Sequence, residues 1–231
     1  MTEHRFTVLC LDMAGTTVRD DDTVMNAFQA ALASRVLPVR EFQAGMKYAV
    51  DTMGQSKIEV FRHILGDESA AQAANAVFEE TYGESVAAGK LSPIPGAVEL
   101  FAACRDAGLR VCLSTGFSPR TRDAIVDALG WGSLVDLFLS PADAGRGRPW
   151  PDMPLTALLR LGGGSVRELA VAGDTPTDIE CGLRAGAGLV AGVLTGASGA
   201  AALAAVPAAT GLPGEALVLG SVADLGPHLG L

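Results

Sequence analysis

The chain has 231 residues, 49% of them apolar, enough for one substantial domain or for one core with a smaller insert. Its formal net charge of −9 argues against nucleic acid or an anionic membrane as the main partner, though it leaves room for a local cationic site. Aromatic residues are few (5%) and glycines many (28), which suits helices packed closely on a sheet rather than a barrel filled with large side chains.

The N-terminal stretch MTEHRFTVLC has no long apolar segment, so no signal peptide is expected. Residues 6–11 form a short apolar run that reads as a buried strand, ending at Asp12 and followed by a Gly-Thr turn. Residues 20–92 then carry helical patterns and no convincing strand, with helices predicted over 25–36, 39–53, 56–65 and 70–88. Residues 91–96 look like a return linker. Beyond it, Phe101, Cys104 and Leu109 bracket a helix that leads to a strand ending at Ser114. A helix over 120–129 is started by Ser118-Pro119. Further strands end near Ser140, at Gly173 and near Leu194, with helices from Asp152 and over 177–185 between them. The Ala-rich residues 197–209 read as a short helix broken by Pro207, and a strand over 216–219 and a helix over 222–229 close the chain. Strands alternating with helices imply parallel βαβ units and an α/β core. The core is therefore expected over 1–19 and 93–231, with a helical cap domain over 20–92 placed to act as a lid.

No apolar run reaches roughly 18 residues, so no membrane span is expected. The four cysteines, Cys10, Cys104, Cys112 and Cys181, show no C-x-x-C pair and no Cys/His cluster, which points to a reducing, cytoplasmic setting.

Chemistry gathers at strand ends. Asp12 alone reads more readily as a turn or capping residue than as a nucleophile or metal ligand, and gains from its company. Gly173-Asp174-Thr175-Pro176-Thr177-Asp178 also follows an apolar run and opens a helix. Two carboxylates four apart at such a turn can hold Mg²⁺, a hard cation that takes oxygen ligands. Ser114-Thr115-Gly116 presents a hydroxyl and backbone N–H groups that suit a phosphoryl oxygen. Arg148, in Arg146-Gly147-Arg148-Pro149, is the cation to offset the phosphoryl charge beside Asp12, with Arg146 the bystander.

In this order, these residues resemble the haloacid dehalogenase superfamily along the whole chain. The resemblance implies a Rossmann-like parallel sheet with a helical cap inserted after the first strand, Asp12 as nucleophile, Thr115 as the phosphoryl-binding hydroxyl and Arg148 as the basic residue. It also implies Mg²⁺ held by Asp12, the Ala14 carbonyl and Asp174, with Asp178 in support. Phosphatases of the superfamily carry an aspartate where this chain has Ala14. The stretch Asp12-Met13-Ala14-Gly15-Thr16-Thr17 is similar instead to the D-x-A-G-T-T of phosphonoacetaldehyde hydrolases, which form a Schiff base between a cap lysine and the substrate aldehyde.

Only three lysines are present, Lys47, Lys57 and Lys90, against fourteen arginines. Met53-Gly54-Gln55-Ser56-Lys57-Ile58 resembles the cap segment M-G-x-x-K-I, which makes Lys57 the expected imine-forming group and Met53, Gly116 and Phe117 the expected substrate-contacting ones. The chain departs from that pattern at Val60, where a histidine is usual, at Phe117, where tyrosine is usual, and at Trp150-Pro151-Asp152. His63 falls roughly 240° around a helix from Lys57. The expected activity is Mg²⁺-dependent cleavage of the P–C bond of phosphonoacetaldehyde or a related phosphonate. The alternative is a phosphatase of a small phosphorylated metabolite that uses Asp12 and Mg²⁺ without an imine. A non-catalytic phosphate-sensing protein and a haloalkanoate dehalogenase fit the residue set less well. The resemblance also implies a homodimer through the cap.

Overall fold

A computed structural model describes residues 5–231; residues 1–4, the start of the expected core segment, lie outside the described residues. The elements run β1 (Val8–Asp12), β2 (Val18–Arg19), α1 (Thr23–Ala33), α2 (Val39–Asp51), α3 (Lys57–Leu65), α4 (Glu68–Ala87), β3 (Ser92–Pro93), α5 (Ala97–Asp106), β4 (Arg110–Ser114), α6 (Pro119–Leu129) and β5 (Leu137–Leu139). They continue with α7 (Pro141–Ala144), α8 (Asp152–Arg160), β6 (Leu169–Gly173), α9 (Pro176–Ala185), β7 (Leu189–Val193), α10 (Ala200–Thr210), β8 (Leu217–Leu219) and α11 (Gly226–Leu229).

Six strands form one parallel sheet in the order β5-β4-β1-β6-β7-β8. β1 and β6 are buried along their whole length, as strands covered by helices on both faces must be. Leu9 and Leu11 pack on the face covered by α5 and α6, through Leu100, Phe101 and Ile125. Val8 and Cys10 pack on the other, against Met153 and Ala157 of α8. The four cysteines are free and buried. Strand order reverses at β1: the chain moves outward through β4 and β5, then returns to the other side at β6. The C-terminal ends on either side of that reversal form the crevice where open α/β sheets bind ligands.

The four helices of the insert, α1 to α4, leave and rejoin the sheet through a two-stranded antiparallel ribbon, with Val18 opposite Pro93 and Arg19 opposite Ser92. Two-residue strands carry no readable periodicity, which is why the sequence shows none there. Phe28, Phe61 and Phe78 meet inside the insert with ring centroids 4.9–6.0 Å apart. Their cluster is continuous with the α5/α6 face of the sheet. The scarce aromatics are thus spent largely on one contact region.

Two details differ from expectation. Pro207 does not break the Ala-rich stretch; α10 runs through it to Thr210. The residue sits near the C-terminal end, where its missing N–H removes a single intrahelical bond, and Leu203 and Val206 anchor the helix on α9 and β7. The expected closing helix is split into a 3₁₀ turn, Val222–Leu225, and α11. Among the described residues no helix is long and apolar enough to cross a membrane.

Phe101 is fully buried and meets Trp131 edge-on, 5.3 Å between centroids. Phe101→Ala is expected to lower unfolding free energy by about 3–5 kcal/mol in urea titrations. A loss below about 1 kcal/mol would show that this contact does not anchor α5.

Candidate active site

Asp12, Ser114 and Asp174 come from the C-terminal ends of the adjacent strands β1, β4 and β6, with Asp12 level with Ser114 in the parallel register. Arg148, from the loop between α7 and α8, reaches the ends of β1 and β4 and the start of α9. Its Nη1 lies 2.8 Å from Asp12 Oδ1 and its Nε 2.6 Å from Asp178 Oδ1. Its Nη2 donates to Ser114 Oγ at 2.8 Å and to the Ser114 carbonyl at 3.1 Å. The guanidinium is buried; burial opposes its charge, but Asp178 and Asp12 outweigh that and push its pKa up. Ser114 is the group that sequence reasoning underrated: it orients Arg148, and only the β1–β4 register places it there.

Asp174 is buried, accepting from Thr16 Oγ1 at 3.2 Å and from the Ala197 N–H at 2.8 Å. Gly15 has φ +84°, and a Cβ on it would lie 2.6 Å from Asp174 Oδ2, so the Gly-Thr-Thr turn must be glycine for this carboxylate to approach. Desolvation, aided by Asp178, lifts the Asp174 pKa to about 7 against those two donors. Desolvation also raises Asp12, with Asp178 and Asp174 adding to the effect and Arg148 opposing it.

Three buried carboxylates against one guanidinium leave a deficit of positive charge that suits a divalent cation. Among the described residues no three His, Cys, Asp or Glu side chains form a ready cage. That is compatible with Mg²⁺, which is usually held by one or two carboxylates and water; here Asp12, Asp174 and the Ala14 carbonyl are the fitting donors. The sequence reading puts Asp178 in the metal set. Its Oδ1 pairs with Arg148, and its Oδ2 accepts from the Thr175 N–H at 3.1 Å and from Thr175 Oγ1 at 2.5 Å. The role visible for Asp178 is therefore to aim Arg148 and to cap α9.

The insert docks onto this crevice through the segment that carries Lys57. Thr177 Oγ1 donates to the Met53 carbonyl at 2.9 Å, Arg148 Nη1 to the Gly54 carbonyl at 3.4 Å, and the Lys57 N–H to the Gly116 carbonyl at 3.3 Å. A Cβ on Gly116 would fall 2.4 Å from the Gln55 carbonyl oxygen, so the two backbones touch only because glycine stands there. Thr115 is buried, its Oγ1 accepting from the Phe117 N–H at 3.2 Å.

Lys57 is also buried, its Nζ 5.3 Å from the Phe117 ring centroid and 5.6 Å from that of Phe28. Desolvation lowers its pKa from 10.5 to about 8, with Arg148 adding to the effect and Asp12 and Asp20 opposing it. Its place in the first turn of α3 disfavours the cation further. Val60 is packed in the apolar cluster, and His63 is exposed and stacked on Tyr48 at 3.9 Å, so neither offers an imidazole to Lys57. Met53 lines a cavity of about 260 Å³ together with Ala14, Asp20 and Asp174. Arg146 is exposed and pairs with Asp152 and the Trp150 ring.

Residues 6–186 match the model of the haloacid dehalogenase-like hydrolases, and the chain belongs to that family. It is an enzyme family of hydrolases, and the α/β core with its six-stranded parallel sheet is the corresponding fold. A phosphonoacetaldehyde hydrolase of Bacillus cereus (strain B4264) is 32% identical over 108 residues, 46% of this chain and 40% of that protein; the match thus spans about two fifths of the curated relatives' length. Among solved structures, a hydrolase from Pseudomonas syringae superposes with a TM-score of 0.81 at 22% identity, over 97% of this chain and 98% of its own. A phosphonoacetaldehyde hydrolase-like protein from Oleispira antarctica does so at 0.79 and 26% identity, over 98% and 92%.

Two predictions follow from the geometry. Gly116→Ala is expected to leave the melting temperature within a few degrees and to cut turnover by about 100-fold, because it displaces the Lys57 segment by about an ångström. Wild-type turnover in a folded variant would show that the backbone contact is dispensable. Second, the raised Asp174 pKa means that the metal-free native state holds a proton that the unfolded chain has lost between about pH 4 and 7. Stability from this group therefore falls as pH rises through that window. Mg²⁺ should raise the melting temperature more at pH 8 than at pH 5, and an equal shift at both would contradict the assignment.

Proposed function

We propose that this chain is a Mg²⁺-dependent hydrolase that cleaves the P–C bond of phosphonoacetaldehyde or a closely related phosphonate through a Schiff base on Lys57. The observation that carries the reading is the state of Lys57: a buried amine between Phe28 and Phe117 with a pKa of about 8, on the segment docked over Asp12 and Arg148. At pH 7.5 about a quarter of such an amine is neutral, against about one in a thousand for an ordinary lysine. Arginine elsewhere on the chain cannot take this role, because it does not lose its proton.

Lys57 Nζ attacks the aldehyde carbon, and loss of water leaves a protonated imine. Asp12 then attacks phosphorus. The P–C electron pair becomes the C=C bond of an enamine as the C=N π pair moves to nitrogen, while Asp12 carries the phosphoryl group. Protonation of the enamine carbon and hydrolysis free Lys57 and the carbonyl product, and water releases phosphate from Asp12. Because the imine accepts the electrons of the breaking bond, no acid is needed where Ala14 stands. Arg148 offsets phosphoryl charge, Thr115 donates a hydrogen bond to a phosphoryl oxygen, and the insert acts as a lid that keeps water from the amine. Mg²⁺, when bound by Asp12, Asp174 and the Ala14 carbonyl, supplies further neutralisation of phosphoryl charge.

Borohydride added to protein and phosphonoacetaldehyde should fix a covalent adduct on Lys57, read by peptide mass spectrometry. Its rate of formation should climb as pH rises through about 8, where the amine loses its proton. Lys57→Arg should abolish both the adduct and phosphate release. Undiminished phosphate release in that variant would replace this reading with that of a phosphatase acting on a small phosphorylated metabolite.

A further inference from the structure

Two buried side-chain polar atoms among the described residues have no hydrogen-bond partner: Asp20 Oδ2 and Tyr82 Oη. Orphaned buried groups cost stability, so both call for a functional account. Asp20 lies between β2 and α1. Its carbonyl accepts the Thr23 N–H at 2.8 Å, while Asp21 and Asp22 behind it take φ of 41° and 65° and point to solvent. This left-handed turn leaves Asp20 as the inward-facing member of the three. It lines the cavity of about 260 Å³ shared with Ala14, Met53 and Asp174.

Tyr82, on α4, is completely buried, and its ring centroid is 4.6 Å from that of Phe117. Phe117 is also the ring beside Lys57 Nζ. The phenol faces Asp20 without closing a hydrogen bond. Tyr82 and Lys57 therefore flank one aromatic ring, and Asp20 acts electrostatically on both. The charged groups acting on Asp20 are Lys57, Asp22 and Asp21, with the Val24 N–H beside its carboxylate; Asp20 and Asp12 act on Tyr82. Desolvation chiefly raises the Asp20 pKa, which favours its protonated form, and desolvation keeps the Tyr82 phenol neutral.

We propose that Asp20, assisted by the Tyr82 phenol, handles the protons of imine formation at Lys57; the proposal rests on the imine reading above. As Nζ bonds to the carbonyl carbon, the C=O π pair moves to oxygen, which takes the Asp20 proton to become a hydroxyl. The Asp20 carboxylate next removes a proton from the new ammonium nitrogen. It then returns that proton to the hydroxyl. The C–O bond breaks, water leaves, and the nitrogen lone pair closes the C=N bond. The products are a protonated imine, one water and an Asp20 carboxylate that pairs with the imine. The Tyr82 O–H donates to that carboxylate. An orphaned pair in the resting enzyme thus gains its partners when the substrate arrives.

The test is a single-turnover measurement of the borohydride-trapped Lys57 adduct with phosphonoacetaldehyde from pH 6 to 9, run beside phosphate release and melting temperature. Asp20→Asn is expected to slow adduct formation by about 100-fold and to flatten the acidic side of its pH profile, and Asp20→Glu should recover part of the rate. Tyr82→Phe removes an oxygen that makes no hydrogen bond, so it should keep the fold and slow the adduct by about tenfold. If the wild type forms an adduct and folded Asp20→Asn and Tyr82→Phe form it at the same rate with the same pH profile, the proposal is overturned and the imine reading stands. If Asp20→Asn does not fold, Tyr82→Phe decides: an adduct formed at the wild-type rate and with the wild-type pH profile overturns the proposal. No adduct in the wild type overturns both.

Discussion

The site depends on one buried guanidinium. Arg148 binds the end of β1 through Asp12, the end of β4 through Ser114, the start of α9 through Asp178 and the insert through the Gly54 carbonyl. Four segments far apart in sequence are thereby referred to a single charge. A cation this deep is tolerable only because two carboxylates and three oxygen acceptors surround it. Removing one partner would leave the rest buried and uncompensated, at a cost of about 3–5 kcal/mol. The arrangement ties catalytic geometry to folding: Asp12 cannot be misplaced without exposing the whole network to imbalance.

The charge balance also explains why the site invites further positive charge. Asp174 is sterically admitted by Gly15 and held by Thr16 and the Ala197 N–H, yet has no cationic partner among the described residues. Above this carboxylate-rich floor Phe28 and Phe78 of the insert meet Phe117 of the core in an apolar roof with Lys57 set into it. The contrast is functional in the proposed reaction. Phosphoryl charge is met by the polar floor, whereas the carbonyl end of a substrate meets a desolvated amine. Low dielectric strengthens electrostatic terms in both layers.

Much of this was legible in the residues themselves. Asp12, Asp174, Thr115 and Arg148 were each read from a strand or loop followed by a characteristic turn, and the four helices of the insert from their apolar spacing. Lys57 stood out because lysine is rare in this chain and its segment resembles the M-G-x-x-K-I cap motif. What the sequence did not reveal shares one physical cause: it depends on neighbours distant along the chain. Ser114 matters because parallel pairing sets it beside Asp12. Asp178 Oδ1 is engaged because Arg148 folds back from a loop thirty residues away. Asp20 reads as one of three consecutive surface aspartates, and only the left-handed turn after it sends that one inward. Tyr82 reads as one more apolar-face residue of a long helix.

By itself the sequence determined the α/β class, the order of strands and helices, the family and the set of acidic, hydroxyl and basic groups at the strand ends. These follow from local patterning, since apolar periodicity and turn chemistry act over a few residues and survive any rearrangement at longer range. Tertiary structure alone decided which of those groups face one another, which are desolvated and which are left without partners. Protonation and reactivity depend on burial and on charges a few ångströms away in space. The same lysine on the same helix would carry its ordinary proton if Phe28, Phe117 and the docked core were not packed around it.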